Sequence, residues 1–323
     1  MKFVSGLALA ALTHLACAIP MAEKRAPAAT PVGYASQNGG VTGGSGGTTT
    51  TVSSLPEMTA ALEKGDDTAK VVYISGKITG SEKIYVGSNK SILGVDSSSG
   101  LEGVGLLVRD AENVIIRNLA ISKVEADTGG DAIAIDGSTN VWVDHCDLSS
   151  DLSADKDFYD GLLDISHGAD YITVSNVYFH DHHKNSLVGH SDSNADEDTG
   201  KLHVTYANNY WSNVGSRCPL VRFGTVHVVN NYFEDVSVSG INTRMGAQVL
   251  VENNVFDNVV QALVSVDSKE DGYAVARGND WGTSTNEAPE GTLTEMPYTY
   301  TAVEASAVKA AVVGVAGNTL SGL

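Results

Sequence analysis

Thr225-Val-His-Val-Val-Asn-Asn-Tyr-Phe233 is followed, beginning at Gln248, by a near copy of itself: Gln248-Val-Leu-Val-Glu-Asn-Asn-Val-Phe256. Each sets apolar residues at alternate positions, then two asparagines, then an aromatic ring. Apolar alternation with period two is one face of a β-strand. Four further segments share the register: 113–121, 140–148, 171–179 and 203–211. One column reads Val114, Val141, Ile172, Val204, Val226, Val249. The column two residues on reads Ile116, Val143, Val174, Tyr206, Val228, Val251. Two further on, taken as the same face, come Asn118, His145, Asn176, Asn208, Asn230 and Asn253. Three more give Ile121, Leu148, Phe179, Trp211, Phe233 and Phe256. Successive copies are 27, 31, 32, 22 and 23 residues apart. A floor near 22 with variable additions fits a solenoid coil with loops on one side. Parallel stacking would bury the apolar columns. Asparagine tolerates the left-handed turn conformation, and stacked amides can bond along the axis. The expected fold is all-β, a parallel β-helix. A β-sandwich would not hold one register through six segments.

The chain has 323 residues, 42% hydrophobic and 18% charged, enough apolar material for a sizeable core. Its formal charge is -19, which disfavours nucleic acid as a partner. Lys2, an apolar run over Val4–Cys17 and the small residues Ala16-Cys17-Ala18 read as a secretory signal. The run is too short to span a membrane, and no later stretch is long enough. Lys24-Arg25 reads as a dibasic processing site. Residues 1–25 are thus expected to be signal peptide and propeptide, and 26–323 one secreted, extracellular domain. Cys17 leaves with the signal. Cys146 and Cys218 remain, and pairing and two buried thiols are equally open. Asn89-Lys90-Ser91 is a glycosylation sequon.

Each ladder segment follows a second short apolar strand: 132–135, 161–165, 186–188, 219–223 and 241–245. If the ladder stacks, these stack too, and their polar neighbours line one groove: Asp131, Asp160, Asp164, Lys184, Arg217, Arg222 and Arg244. Asp160 and Asp164, four apart on an extended strand, are expected on one side. With Asp131 one coil away they form a hard-oxygen set suited to Ca2+. The bland alternative is three solvated aspartates. Lys184, Arg217, Arg222 and Arg244 are expected to share one column as an anion-binding strip in a chain with only 20 Lys plus Arg. Calcium beside cations suits an acidic polysaccharide.

At these residues the sequence resembles the pectate lyases of polysaccharide lyase family 1. The matching stretches are 141–145 (Val-Trp-Val-Asp-His), 159–164 (Tyr-Asp-Gly-Leu-Leu-Asp), 171–175 (Tyr-Ile-Thr-Val-Ser), 180–190 (His-Asp-His-His-Lys-Asn-Ser-Leu-Val-Gly-His), 217–224 (Arg-Cys-Pro-Leu-Val-Arg-Phe-Gly) and 244–248 (Arg-Met-Gly-Ala-Gln). Together they cover roughly residues 55–285. The resemblance implies a right-handed parallel β-helix and Ca2+-dependent β-elimination of polygalacturonate. By position, Asp131, Asp160 and Asp164 resemble the calcium ligands and Arg217 the catalytic base. Lys184 and Arg222 resemble the residues that bind the substrate carboxylate, and Arg244 a subsite contact. Gly129 departs from relatives that carry an additional aspartate there. His145 falls in the asparagine column and reads as structural. Guanidinium groups ordinarily titrate above 12, so an arginine base implies an alkaline optimum.

Three rival readings stand beside this one. A pectin lyase acting without calcium has no use for three metal-ligand aspartates. A β-helical hydrolase would need an acid/base carboxylate pair, and Asp160 with Asp164 could pose as one. A non-catalytic polysaccharide-binding protein would need no Arg217. At the periphery, Ser54–Gly65 reads as a Ser-capped helix closing the first coil. Ser191–Gly200 reads as a solvated acidic loop, and Thr301–Gly314 as a helix on the solenoid's side. Nothing demands an oligomer, so a monomer is expected.

Overall fold

A computed structural model describes Met1 and residues 30–323. Apart from Met1, the expected signal and propeptide lie outside the described residues. Ten parallel strands form the ladder sheet: Thr48–Val52, Lys70–Ile74, Lys90–Gly94, Glu112–Arg117, Thr139–Asp144, Asp170–Ser175, His203–Ala207, Thr225–Val229, Gln248–Glu252 and Tyr273–Arg277. Six of them, from Glu112–Arg117 to Gln248–Glu252, are the strands legible as repeats. Val114, Val141, Ile172, Val204, Val226 and Val249 stand opposite one another in unbroken register, as do the residues two further on. Both columns are buried.

Two more strand rows complete the coil. One holds Ala120–Ser122, Asp147–Ser149, Tyr178–Lys184, Tyr210–Ser216, Tyr232–Val236 and Val255–Val259. The other holds Ile133–Asp136, Leu163–Ser166, Ser186–Val188, Leu220–Arg222, Ile241–Arg244 and Leu263–Val264. The long strand Gly100–Arg109 spans both, pairing with Ala120–Ser122 at its start and Ile133–Asp136 at its end. The nine-residue segments of the sequence are therefore not single strands. Each breaks at the third column, where Asn118, His145, Asn176, Asn208, Asn230 and Asn253 have φ between 48° and 60°. Asparagine adopts this region because its short polar side chain bonds locally. The corner, not a continued face, is what the column encodes.

The axial amide ladder lies one residue later than expected. Asn209 N–H donates to Asn231 Oδ1 (2.9 Å), Asn231 N–H to Asn254 Oδ1 (2.8 Å) and Asn254 N–H to Asn279 Oδ1 (2.9 Å). Asn209, Asn231 and Asn254 are fully buried, so the ladder satisfies donors that water cannot reach. In the corner column itself Asn230 Nδ2 reaches Asn208 Oδ1 at 3.2 Å. His145 keeps the corner conformation because Asp144 Oδ2 holds its Nδ1 at 2.7 Å. Buried Asp144 also accepts from Arg117, Ser175 and Asn176. Burial pushes its carboxyl up, but these bonds outweigh it and hold it below the usual carboxylate range. His145 is built into the scaffold.

Inside the coil, Phe179, Trp211, Phe233, Phe256 and Trp281 stack nearly parallel, with centroids 3.9, 5.9, 4.6 and 4.9 Å apart. Cys146 and Cys218 are free and buried, and burial pushes both thiols up. The Asn89 sequon is folded into the corner region. Its Nδ2 donates to Asp67 O (3.1 Å), its Oδ1 accepts from Asn113 Nδ2 (2.8 Å), and Ser91 is buried.

The first helix spans Leu55–Ala61 and sends Met58 into the core, with Leu62 just beyond. The Ser54 side chain does not cap it. Glu57 instead accepts from Ser53 N–H at 2.8 Å. The last helix, Ala305–Val312, buries Val308 and Val312 against Tyr232, shorter than the expected segment but in the expected place. Ahead of it, Tyr298 and Tyr300 strap the ladder sheet. The Tyr298 hydroxyl meets Thr205 Oγ1 (2.6 Å) and His227 Nδ1 (2.9 Å). Tyr300 donates to Glu252 Oε2 (2.5 Å), which also faces His227 Nε2 (3.0 Å). No helix of the described residues is long and apolar enough to cross a membrane.

Candidate active site

Of the seven singled-out residues, Asp131, Asp160, Lys184 and Arg217 lie where the second strand row turns into the third, and Asp164, Arg222 and Arg244 lie on the third row itself. Backbone bonds fix the order from coil to coil. Ala132 N–H donates to Gly161 O (3.1 Å), Leu162 N–H to Asn185 O (2.8 Å), and Ser186 N–H to Arg217 O (2.8 Å). Asp131, the Asp160–Gly161 pair, Lys184 and Arg217 thus occupy the same corner of consecutive coils. The expected single column of four cations is not found. Lys184 and Arg217 sit at the corner, whereas Arg222 and Arg244 pair in register further along the third row. The chain must cross Cys218–Val221 between the two levels, so the cations form two ranks on one face.

Asp131 and Asp164 are the half-buried part of the acidic set, each held by a backbone N–H. Asp131 Oδ1 accepts from Gly161 N–H (2.8 Å) and Asp164 Oδ1 from Leu187 N–H (3.0 Å). Burial, then the charge of Asp160, pushes the Asp131 carboxyl up to about 7. Burial and the charge of Asp131 push Asp164 well above the usual range, with Arg217 opposing. Gly161 lies between them. A Cβ there would stand 2.9 Å from Asp131 Oδ1 and closer still to Asp164 Oδ1.

Asp160 is placed differently. It lies in the loop before the strand, with its carboxylate 3.3 Å from Lys184 Nζ and its side chain 47% exposed. Lys184 is also held by Asp157 at 2.9 Å. The three aspartates are neighbours, yet among the described residues no three His, Cys, Asp or Glu side chains converge tightly enough to grip an ion as they stand. The donor chemistry still suits a hard divalent cation. Three carboxylates neighbour one another, two are half-buried with raised pKa values, and the gap between those two is kept open by a glycine.

Sequence reasoning gave no role to His182. It is buried, its Nε2 lies 2.5 Å from Asp160 O, and its Nδ1 lies 2.5 Å from Ser150 Oγ. Burial pushes this imidazole down to about 4, so it is neutral and can donate to one partner while accepting from the other. It pins the backbone of the loop that carries Asp160. The only signal was its place in the His180–Lys184 cluster, where three histidines look alike on paper.

Arg222 donates through Nε to Asp192 Oδ1 (2.6 Å) and through Nη1 to Gly189 O (3.0 Å). That corrects the reading of Ser191–Gly200 as merely solvated. The segment holds a short helix, Ala195–Asp198, and Asp198 is fully buried with Oδ1 accepting from Gly168 N–H (2.8 Å). Arg244 is largely buried, its Nη2 is 3.7 Å from Asp267 Oδ2, and its Nε has no partner. Burial and the neighbouring Arg222 push its guanidinium down. Arg217 alone of the four cations makes no ion pair among the described residues.

A family model described as Pectate lyase matches residues 8–321. A protein of Neosartorya fischeri named probable pectate lyase A is 60% identical over 326 residues, covering 99% of both chains. Pectate lyase A of Aspergillus niger is 60% identical over 290 residues, 90% of this chain and 88% of that one. Among solved structures, a pectate lyase of Bacillus sp. N165 in complex with trigalacturonate superposes with a TM-score of 0.82. It is 34% identical and covers 90% of this chain and 99% of its own.

Proposed function

The chain belongs to the pectate lyase family, and from that premise we propose how its own residues cleave polygalacturonate. Its activity is that of a pectate lyase, a polysaccharide-degrading lyase. The observation that carries the finer reading is the corner itself. Half-buried Asp131 and Asp164, the more open Asp160, and the unpaired Arg217 follow one another from coil to coil beside Lys184. Asp131, Asp160 and Asp164 would hold Ca2+, with Gly161 keeping the space between two of them clear. The bound ion would neutralise a uronate carboxylate and so make the adjacent C5 proton more acidic. Lys184 and Arg222 bind that carboxylate and the charge that develops on it. Arg217 takes the proton from C5. The electron pair forms the C4–C5 double bond, and the glycosidic oxygen departs from C4. Arg244, further along the groove face, holds a neighbouring uronate. His182 keeps the Asp160 loop in place.

Residues 26–323 would form one domain, acting as a monomer in the extracellular space after removal of residues 1–25. An initial-rate assay of ultraviolet absorbance by the unsaturated product, with and without calcium, tests the reading. Arg217→Lys should abolish turnover while calcium-dependent binding of trigalacturonate persists. Near-normal turnover in that variant would remove Arg217 as the base.

A further inference from the structure

Of the groove cations outside Arg217, each is met by a loop carboxylate: Lys184 by Asp157, Arg222 by Asp192 and Arg244 by Asp267. The three pairs differ in kind. Arg222 and Asp192 are both sunk, with side chains 13% and 21% exposed, and the guanidinium also binds Gly189 O. These contacts fix Arg222 through Nε and Nη1 and leave Nη2 for the substrate carboxylate, so Asp192 need not be displaced. In the other two the cation is sunk and the acid is not. Lys184 is 16% exposed against 66% for Asp157, and Arg244 is 12% exposed against 84% for Asp267.

We propose that Asp157 and Asp267 are placeholder carboxylates, loop side chains that occupy Lys184 and Arg244 until uronates of a polygalacturonate chain displace them. The proposal rests on the reading of Lys184 and Arg244 as substrate contacts. A free aspartate and a uronate present the same group, so each occupies the site the other needs. Pairs with one partner in water are weak, so displacement is easy. The sunken cations gain from never standing wholly unpaired. A chain that brings two carboxylates displaces both placeholders in one binding event, whereas a single uronate can displace only one. The placeholders therefore lower the affinity for oligomers, which must displace both, more than that for monomers.

The test is calorimetric binding of trigalacturonate and galacturonate, with initial rates on polygalacturonate, for the full chain and for Asp157→Asn, Asp267→Asn and the double variant. Both sites are exposed, and thermal midpoints check that folding is intact. Each single variant is expected to lower Kd for trigalacturonate and KM by about two- to five-fold with kcat unchanged. The double variant should gain about the product of the two, and the gain should shrink with added salt. The ratio of trigalacturonate to galacturonate affinity should rise in the double variant, because the trimer is relieved of two displacements and the monomer of one. Unchanged or weaker binding, or a loss of kcat, would overturn the proposal and mark the aspartates as positioning groups. A wild-type chain that binds no trigalacturonate would instead fail the substrate reading beneath it.

Discussion

Replacing Gly161 by alanine puts a methyl group between the two half-buried carboxylates, whose atoms are its three nearest neighbours. The added carbon would stand 2.9 Å from Asp131 Oδ1, against the 3.4–4 Å of ordinary contact. Asp131 must then retreat by about half an ångström, and Asp164 by more. Metal–oxygen distances tolerate roughly 0.2 Å. Displacement of two of three ligands should weaken calcium by about 10- to 100-fold, on the scale seen when groups supporting a metal site are removed. That is ~1.4–2.8 kcal/mol. Global stability should barely move, because loss of glycine's freedom in the unfolded chain contributes about 0.4–1 kcal/mol in the other direction. The assay is a calcium titration by calorimetry, paired with initial rates at each calcium concentration and a thermal midpoint. The variant should need far more calcium for half-maximal rate while melting within a few degrees of the parent. A Gly161→Ala protein with unchanged calcium affinity would show that Asp131 and Asp164 do not share an ion.

Two further predictions concern the scaffold. Phe233 is fully buried between Trp211 and Phe256, so Phe233→Ala should destabilise by about 4–6 kcal/mol from cavity formation and lost stacking. A chemical denaturation difference under about 2 kcal/mol would refute the continuous stack. Glu252 is pushed up by burial, but bonds from His227, Arg277 and Tyr300 outweigh it and hold it down at about 2. A depressed carboxyl stabilises the fold above its unfolded value and loses that contribution as pH falls through the folded one. The margin of wild type over Glu252→Gln, on the order of 2 kcal/mol after screening, should thus vanish between about pH 4.5 and 2. Parallel acid-unfolding curves for the two proteins would contradict it.

The fold was legible because the inward face of each ladder strand is buried and so leaves a period-two signature, and because asparagine recurs at the left-handed corner. Four ladder strands carry no such mark. Thr48–Val52, Lys70–Ile74 and Lys90–Gly94 lie near the open end, and Tyr273–Arg277 carries Ala274 and Ala276 opposite Val249 and Val251. Thr48–Thr51 are exposed, so nothing there enforces an apolar pattern. The identities of the groove residues were legible from chemistry and from resemblance, but their placement was not. Spacing along the chain cannot say that Asp160 turns to Lys184, or that Arg217 and Arg222 stand at different levels. His182 could not be separated from His180 and His183, since only the fold decides which of the three points inward. The two amide rows were conflated for a similar reason: adjacent asparagines look interchangeable until the corner assigns one to the bend and the other to the interior.

The recurring corner has a consequence for how such a molecule can change. Six successive coils turn this bend with the same left-handed residue, so a length of chain running from one bend to the next, such as Asn208 to Asn230, is bounded by equivalent joints. Whole coils could be removed or duplicated between those joints without redesigning the interior. The length of the cleft, and hence the number of sugar units it can cradle, could then lengthen or shorten by integral steps.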